Sequence, residues 1–92
     1  MKILRISAIW CSACLIMNKV WNKLKENYEF EPVELDLDMD EEEANKYKPK
    51  DVLPVFIVFD NDKEILRLTG EFTYESFLEK LKKEGVNLEE KY

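Results

Sequence analysis

Ile3-Leu4-Arg5-Ile6-Ser7-Ala8-Ile9-Trp10-Cys11-Ser12-Ala13-Cys14 is the stretch on which the fold turns. Ile3 to Ile9 is a short, mostly apolar run of aliphatic and β-branched side chains with little alternation, and it reads as a buried strand. From Leu15 to Tyr28 the period changes. Met17, Val20, Trp21, Leu24 and Tyr28 recur at helical spacing, while Asn18, Lys19, Asn22, Lys23 and Lys25 point elsewhere, the pattern of an amphipathic helix. Cys11 and Cys14 are the chain's two cysteines. A strand-to-helix junction puts both sulfurs on the first helical turn, close enough to bond to each other, and a helix N-terminus favours a thiolate. Cys11, at the helix start, is expected to be exposed and is the candidate nucleophile. Cys14, one turn further in and more buried, is the candidate resolving thiol. Such a pair performs thiol–disulfide exchange.

Outward from that junction, Glu31-Pro32 is expected to end the helix. Val33 to Leu37 alternates, with Val33, Leu35 and Leu37 on one face and Glu34 and Asp36 on the other, as a half-buried strand does. Asp38 to Tyr47 reads as a short helix with its acids, Asp40 to Glu43, in the first turn, closed by Pro49. Val55 to Phe59 is a continuous apolar run and hence a central strand. Asp60-Asn61-Asp62 turns the chain, and Glu64 to Leu68 returns as its hairpin partner. Gly70 interrupts. Thr73 can cap a last helix with Tyr74, Phe77, Leu78 and Leu81 as its apolar face, and Gly85 stops it after Lys82 and Lys83. The tail, Glu89 to Tyr92, is expected to fray. The order is β-α-β-α-β-β-α, an α/β fold. A right-handed crossover makes the first two strands parallel. The third and fourth lie antiparallel beside them, giving a four-stranded mixed sheet of order 2-1-3-4. The first and last helices are expected on one face and the short helix on the other.

Composition narrows the function. Ninety-two residues with 46% apolar side chains, two glycines and three prolines make one compact domain spanning residues 1–92, read as a monomer. A net charge of −6 argues against a nucleic-acid partner, which requires clustered Lys and Arg. The absence of histidine excludes serine-type triads and imidazole metal sites. Metal binding by cysteine normally needs about four ligands and the chain offers two, so no metal is expected. Asp36, Asp38 and Asp40 superficially suggest a calcium loop, but Glu41 stands where the loop needs glycine, and these acids read as solvated charges. No run approaches the ~20 apolar residues of a membrane span, so no membrane partner is expected. Met1 to Met17 could be read as a secretory signal, but Arg5 interrupts its apolar stretch and cleavage would remove the first strand and both cysteines. The expected compartment is therefore cytoplasmic and the expected net direction reduction.

At this point the chain resembles the thioredoxin superfamily. Trp10-Cys11-Ser12-Ala13-Cys14 is similar to the family's tryptophan-cysteine active site. Val52-Leu53-Pro54-Val55 resembles its cis-proline loop, and Gly70 resembles the glycine near the active-site rim. The resemblance covers about residues 2 to 84 and implies a thioredoxin-like fold. It implies an oxidoreductase that reduces protein disulfides, or carries electrons for one enzyme, through a reversible Cys11–Cys14 disulfide with no other cofactor. The implied partners are protein disulfides and an unidentified reductase. Contacts to substrate are implied at Trp10, Ser12, Ala13, Leu53, Pro54 and Gly70, with a cis Leu53–Pro54 bond leaving a backbone edge for an extended substrate segment.

The departures from the family pattern are also specific. The chain begins at the redox strand, so it looks like the minimal, glutaredoxin-sized version of the fold. The intervening dipeptide is Ser12-Ala13, neither Gly-Pro nor Pro-Tyr, and the Gly-Gly pair that glutaredoxins use toward glutathione is absent. Arg5 stands where thioredoxins place a buried acid. In a central strand it needs a partner, and Glu34 or Asp36 is expected to supply one on the face covered by the short helix; the alternative is a side chain that reaches the surface. Trp10 is either an exposed platform for partners or a core residue, whereas Trp21 reads as core. Two other functions fit a Cys-x-x-Cys: a metal chaperone, or a redox sensor without turnover.

Overall fold

The structure is a computed structural model that describes residues 1–49 and 52–91. Strand β1 runs Lys2–Ser7, helix α1 Ser12–Asn27, strand β2 Tyr28–Glu29, strand β3 Glu31–Asp36, helix α2 Glu41–Lys46, strand β4 Val55–Asp60, strand β5 Lys63–Thr69, helix α3 Tyr74–Lys83 and strand β6 Glu89–Glu90. The main sheet has the order β3-β1-β4-β5. β1 and β3 are parallel, in register Leu4 with Val33 and Arg5 with Glu34. β1 and β4 are antiparallel, as are β4 and β5. This is the expected four-stranded mixed sheet, with strand order and pairing as the element order demands.

Alternation along β1 and β4 divides the core in two. Ile3, Phe56 and Val58 pack with Met17, Trp21 and Leu24 of α1 and Phe77 and Leu81 of α3. Leu4, Ile6, Val55, Ile57 and Phe59 face the other way, with Ala44 of α2 and the half-buried Val33, Leu35 and Leu37. The long helices therefore cover one face and the short helix the other. Aromatic rings tie the larger half together: Phe56 meets Phe77 edge-on at 5.0 Å between centroids, and Trp21 lies 5.8 Å from Phe56. Thr73 Oγ1 accepts the Ser76 N–H at 3.1 Å, the N-cap expected of it, and Gly85 ends α3 with a φ of 79°.

Three expectations need correction. The first helix does not run on to Glu31-Pro32. Tyr28 leaves helical geometry with φ −131° and ψ 150°, and Pro32 lies inside β3. β3 is an edge strand of the main sheet, where a missing N–H costs no ladder bond on the open side. The tail does not fray over its whole length. Glu89 and Glu90 pair with Glu29 and Tyr28 as a second, two-stranded sheet, and Lys91 N–H donates to the Asn27 carbonyl at 2.9 Å. Tyr92 lies outside the described residues. Third, the second helix is shorter than expected, because Asp36 to Asp40 forms a turn instead. Asp36 Oδ1 accepts from the Asp38 and Met39 N–H groups, and Asp40 Oδ2 accepts from the Asp36 N–H. The stretch open to a secretory reading, Met1 to Met17, supplies β1 and the start of α1.

Candidate active site

Helix α1 begins at Ser12, three residues before its apolar period is read, at Leu15. Cys11 is the N-cap, with extended φ −91° and ψ 111°, and its Sγ accepts the Cys14 N–H at 3.2 Å. The sulfur thus does for the first turn what a Ser or Asp oxygen usually does, and it sits where unpaired N–H groups and the helix dipole favour negative charge. Cys11 N–H in turn donates to Ala8 O at 3.2 Å, which fixes the tight bend between β1 and α1. Both cysteines are free thiols. Cys11 keeps 9% of its surface exposed and Cys14 only 2%. The ranking is the expected one, but Cys11 is not the open thiol that was expected. It belongs to the same buried cluster as Ala8, Ala44 and Leu53.

Trp10 is 67% exposed, and its Nε1 donates to Asp38 Oδ2 at 2.8 Å. Of the two uses open to Trp10, the structure shows the exposed one; Trp21 is core. Ile9, Leu15, Ile16, Met39 and Val52 are exposed apolar side chains as well. Ile9 was expected in the buried first strand, but β1 ends at Ser7 and leaves it 78% exposed, and the exposure of Leu15, Ile16 and Met39 was not anticipated. The available signal was that Leu15 and Ile16 are apolar yet lie off the buried stripe of α1. Of the residues implied by resemblance, Ser12 is exposed and Ala13 half-buried beside Trp10 in the chain. The Leu53–Pro54 peptide bond is cis. Leu53 and Pro54 are buried. Gly70 N–H donates to Pro54 O at 3.0 Å, and its φ of 91° is a conformation that suits glycine alone. A Cβ there would stand 3.7 Å from Val52 Cγ1, so backbone conformation and not space dictates glycine.

Arg5 is placed otherwise than expected. It lies on the α1 face of β1, opposite the short helix, because Ile3, Arg5 and Phe56 share one side of the sheet. Its partner Glu34 is as expected, with Arg5 Nη1 3.6 Å from Glu34 Oε1. Arg5 Nη2 also donates to Cys14 O at 3.0 Å and to Asn18 Oδ1. Burial first, and then the hydrogen bond with Cys11, push the Cys14 thiol up, against the Ala8 backbone and the charge of Arg5, to about 11. Among the described residues no group of three or more Cys, Asp or Glu side chains converges as a metal-binding set.

A family model described as Thioredoxin matches residues 1–83. Similar solved structures include a malarial protein, at 27% identity and TM-score 0.80, covering 90% of this chain and 94% of that one. Thioredoxin from Fasciola hepatica is 30% identical with TM-score 0.74, covering 90% and 79%. The reduced thioredoxin pre-protein of Schistosoma mansoni is 27% identical with TM-score 0.78, covering 89% and 76%. No match was found among curated proteins. The chain belongs to the thioredoxin family. Membership supports a thiol–disulfide oxidoreductase type of function. No helix among the described residues is long and apolar enough to cross a membrane.

Proposed function

We propose that this chain reduces protein disulfides by dithiol exchange through Cys11 and Cys14. The observation that carries the reading is the capped first turn of α1, with Cys11 Sγ accepting the Cys14 N–H. Cys11 is the attacking sulfur, since it holds the N-cap and the greater exposure. Its thiolate attacks a substrate disulfide, one substrate sulfur leaves, and a mixed disulfide forms. Cys14, still a thiol near neutral pH because burial raises it, then loses its proton and attacks Cys11 Sγ. The second substrate sulfur leaves, and the chain carries the Cys11–Cys14 disulfide. Trp10, Ser12, Ala13 and Gly70 form the rim against which a partner rests, with Leu53 and Pro54 offering backbone. An external reductase returns the dithiol. In a reducing compartment such as the cytoplasm the net direction is substrate reduction.

Trapping tests the order of attack. Cys14→Ser is expected to accumulate a mixed disulfide with reduced-then-reoxidised insulin chains, whereas Cys11→Ser accumulates none. Equal trapping by the two variants overturns the assignment. Negligible insulin reduction by the wild-type chain, with the disulfide nonetheless forming, would favour a sensor.

A further inference from the structure

Arg5 is 5% exposed in the central strand, a place where an unpaired cation is very costly. Its retention there asks for a reason. The guanidinium is gripped from two elements: by the Cys14 carbonyl, Asn18 and, at 6.0 Å, the face of Trp21, all of α1, and by Glu34 of β3. Among the described residues its Nε has no hydrogen-bond partner. A recess of about 290 Å³ opens behind the second cysteine, lined in part by Arg5, Ser7, Ala8, Cys14, Glu34 and Asp36. Arginine stays charged throughout the working pH range, so Arg5 can neither accept nor deliver a proton there. It provides a fixed positive charge where a proton must leave.

We propose that Arg5 is a positioning residue for the resolving step, holding the first turn of α1 by its carbonyl and stabilising the Cys14 thiolate as it forms, while the recess gives the departing proton a way to water. The inference rests on the exchange cycle proposed above. In that step the Cys14 S–H bond breaks and its proton passes to solvent. The sulfur's electron pair attacks Cys11 Sγ, the Cys11–substrate S–S bond breaks, and the substrate sulfur leaves as a thiolate and takes up a proton. Two electrons have then passed from the Cys11–Cys14 dithiol to the former substrate disulfide. The charged and titrating groups around Cys14 are few. Cys11 shares its turn, Arg5 comes from β1, and Glu34 and Asp36 come from β3. From α2 and the segment before β4 its cluster holds the apolar Ala44 and Leu53, with the half-buried Tyr47 at the end of α2 packed against it. Lys25 of α1 holds the far side of Glu34 at 3.5 Å.

The test uses 5,5′-dithiobis(2-nitrobenzoate), which reports each attack by the release of one coloured thiolate. With the 92-residue chain the first phase is the attack by Cys11 and the second is resolution by Cys14. Arg5→Gln keeps a donor for the Cys14 carbonyl but removes the charge. It is expected to slow the second phase about tenfold at neutral pH and to move its pH profile upward. Arg5→Lys, which keeps the charge, restores most of the rate. A second-phase profile unchanged in Arg5→Gln, or equally impaired in Arg5→Lys, overturns the proposal. If Arg5→Gln does not fold, Glu34→Gln carries the test from an exposed side chain: relieving the guanidinium of its counter-charge should speed the second phase, and an unchanged or slower one sinks the idea. A wild-type chain with no second phase would overturn the exchange cycle itself, and the role of Arg5 with it.

Discussion

Cys14 shows how one side chain takes its chemistry from its surroundings. Its neutral form is favoured first by burial and then by the hydrogen bond with Cys11, which together carry it up to about 11. The folded, reduced chain therefore keeps this proton over a range in which the unfolded chain has lost it. That contribution to stability is present below the ordinary thiol range, near pH 9, and is lost as pH rises toward about 11. Reduced wild-type protein is expected to lose more stability than Cys14→Ser between roughly pH 8 and 10.5. Urea midpoints of the two at each pH measure it, and parallel losses would refute the attribution. Lysines and tyrosines titrate over the same range in both proteins, which is why the comparison with Cys14→Ser is the informative one. The residue-scale features were unevenly legible. That the cysteines share a helical turn follows from their spacing, but that Cys11 caps the helix does not, because cysteine is not among the usual caps.

At the scale of elements, the hairpin between β4 and β5 shows a local cost the chain tolerates. Asn61 and Asp62 take φ of 52° and 66°, both left-handed, and connect Asp60 to Lys63. Two left-handed residues give the turn the twist that suits antiparallel strands, and the second position prefers glycine. Asp62→Gly is expected to stabilise the protein by about 0.5–1 kcal/mol, read as a higher urea midpoint with unchanged slope. A lower midpoint would mean that Asp62 makes compensating contacts. The sequence showed this turn clearly, because polar residues separate two apolar runs. It did not show β2 and β6. Two-residue strands carry no period to read, and Glu89 and Glu90 gain their order only by meeting Tyr28 and Glu29 from the far end of α1.

Across the whole molecule, charge is segregated. Residues 34–43 hold seven acids and no base, more than the entire net charge of −6. The fold brings this acidic segment to the rim of the site, where Asp38 binds the Trp10 indole across 28 residues of chain. A field of one sign beside a reactive thiol raises the local concentration of cations and repels anions. Cystamine, a small dicationic disulfide, is therefore expected to react faster than anionic oxidised glutathione, by about tenfold at low ionic strength. Each rate is to be normalised to the same disulfide's reaction with free dithiothreitol. The advantage should shrink toward ~1 M salt, where the Debye length is ~3 Å. Matching normalised rates at low salt would remove any role for this charge.

The amino-acid order alone determined the alternation of strands and helices, the parallel and antiparallel pairings, the two-sided core, and a dithiol at a strand-to-helix junction. Each of these follows from patterns within one or two neighbouring elements: period, turn residues and cysteine spacing. Tertiary structure alone decided which face of the sheet holds Arg5, how far Cys11 and Leu53 are covered, the exposure of Ile9, Leu15, Ile16, Met39 and Val52, and the pairing of the tail. These depend on residues far apart in the chain being brought together, and local propensity carries no record of such meetings.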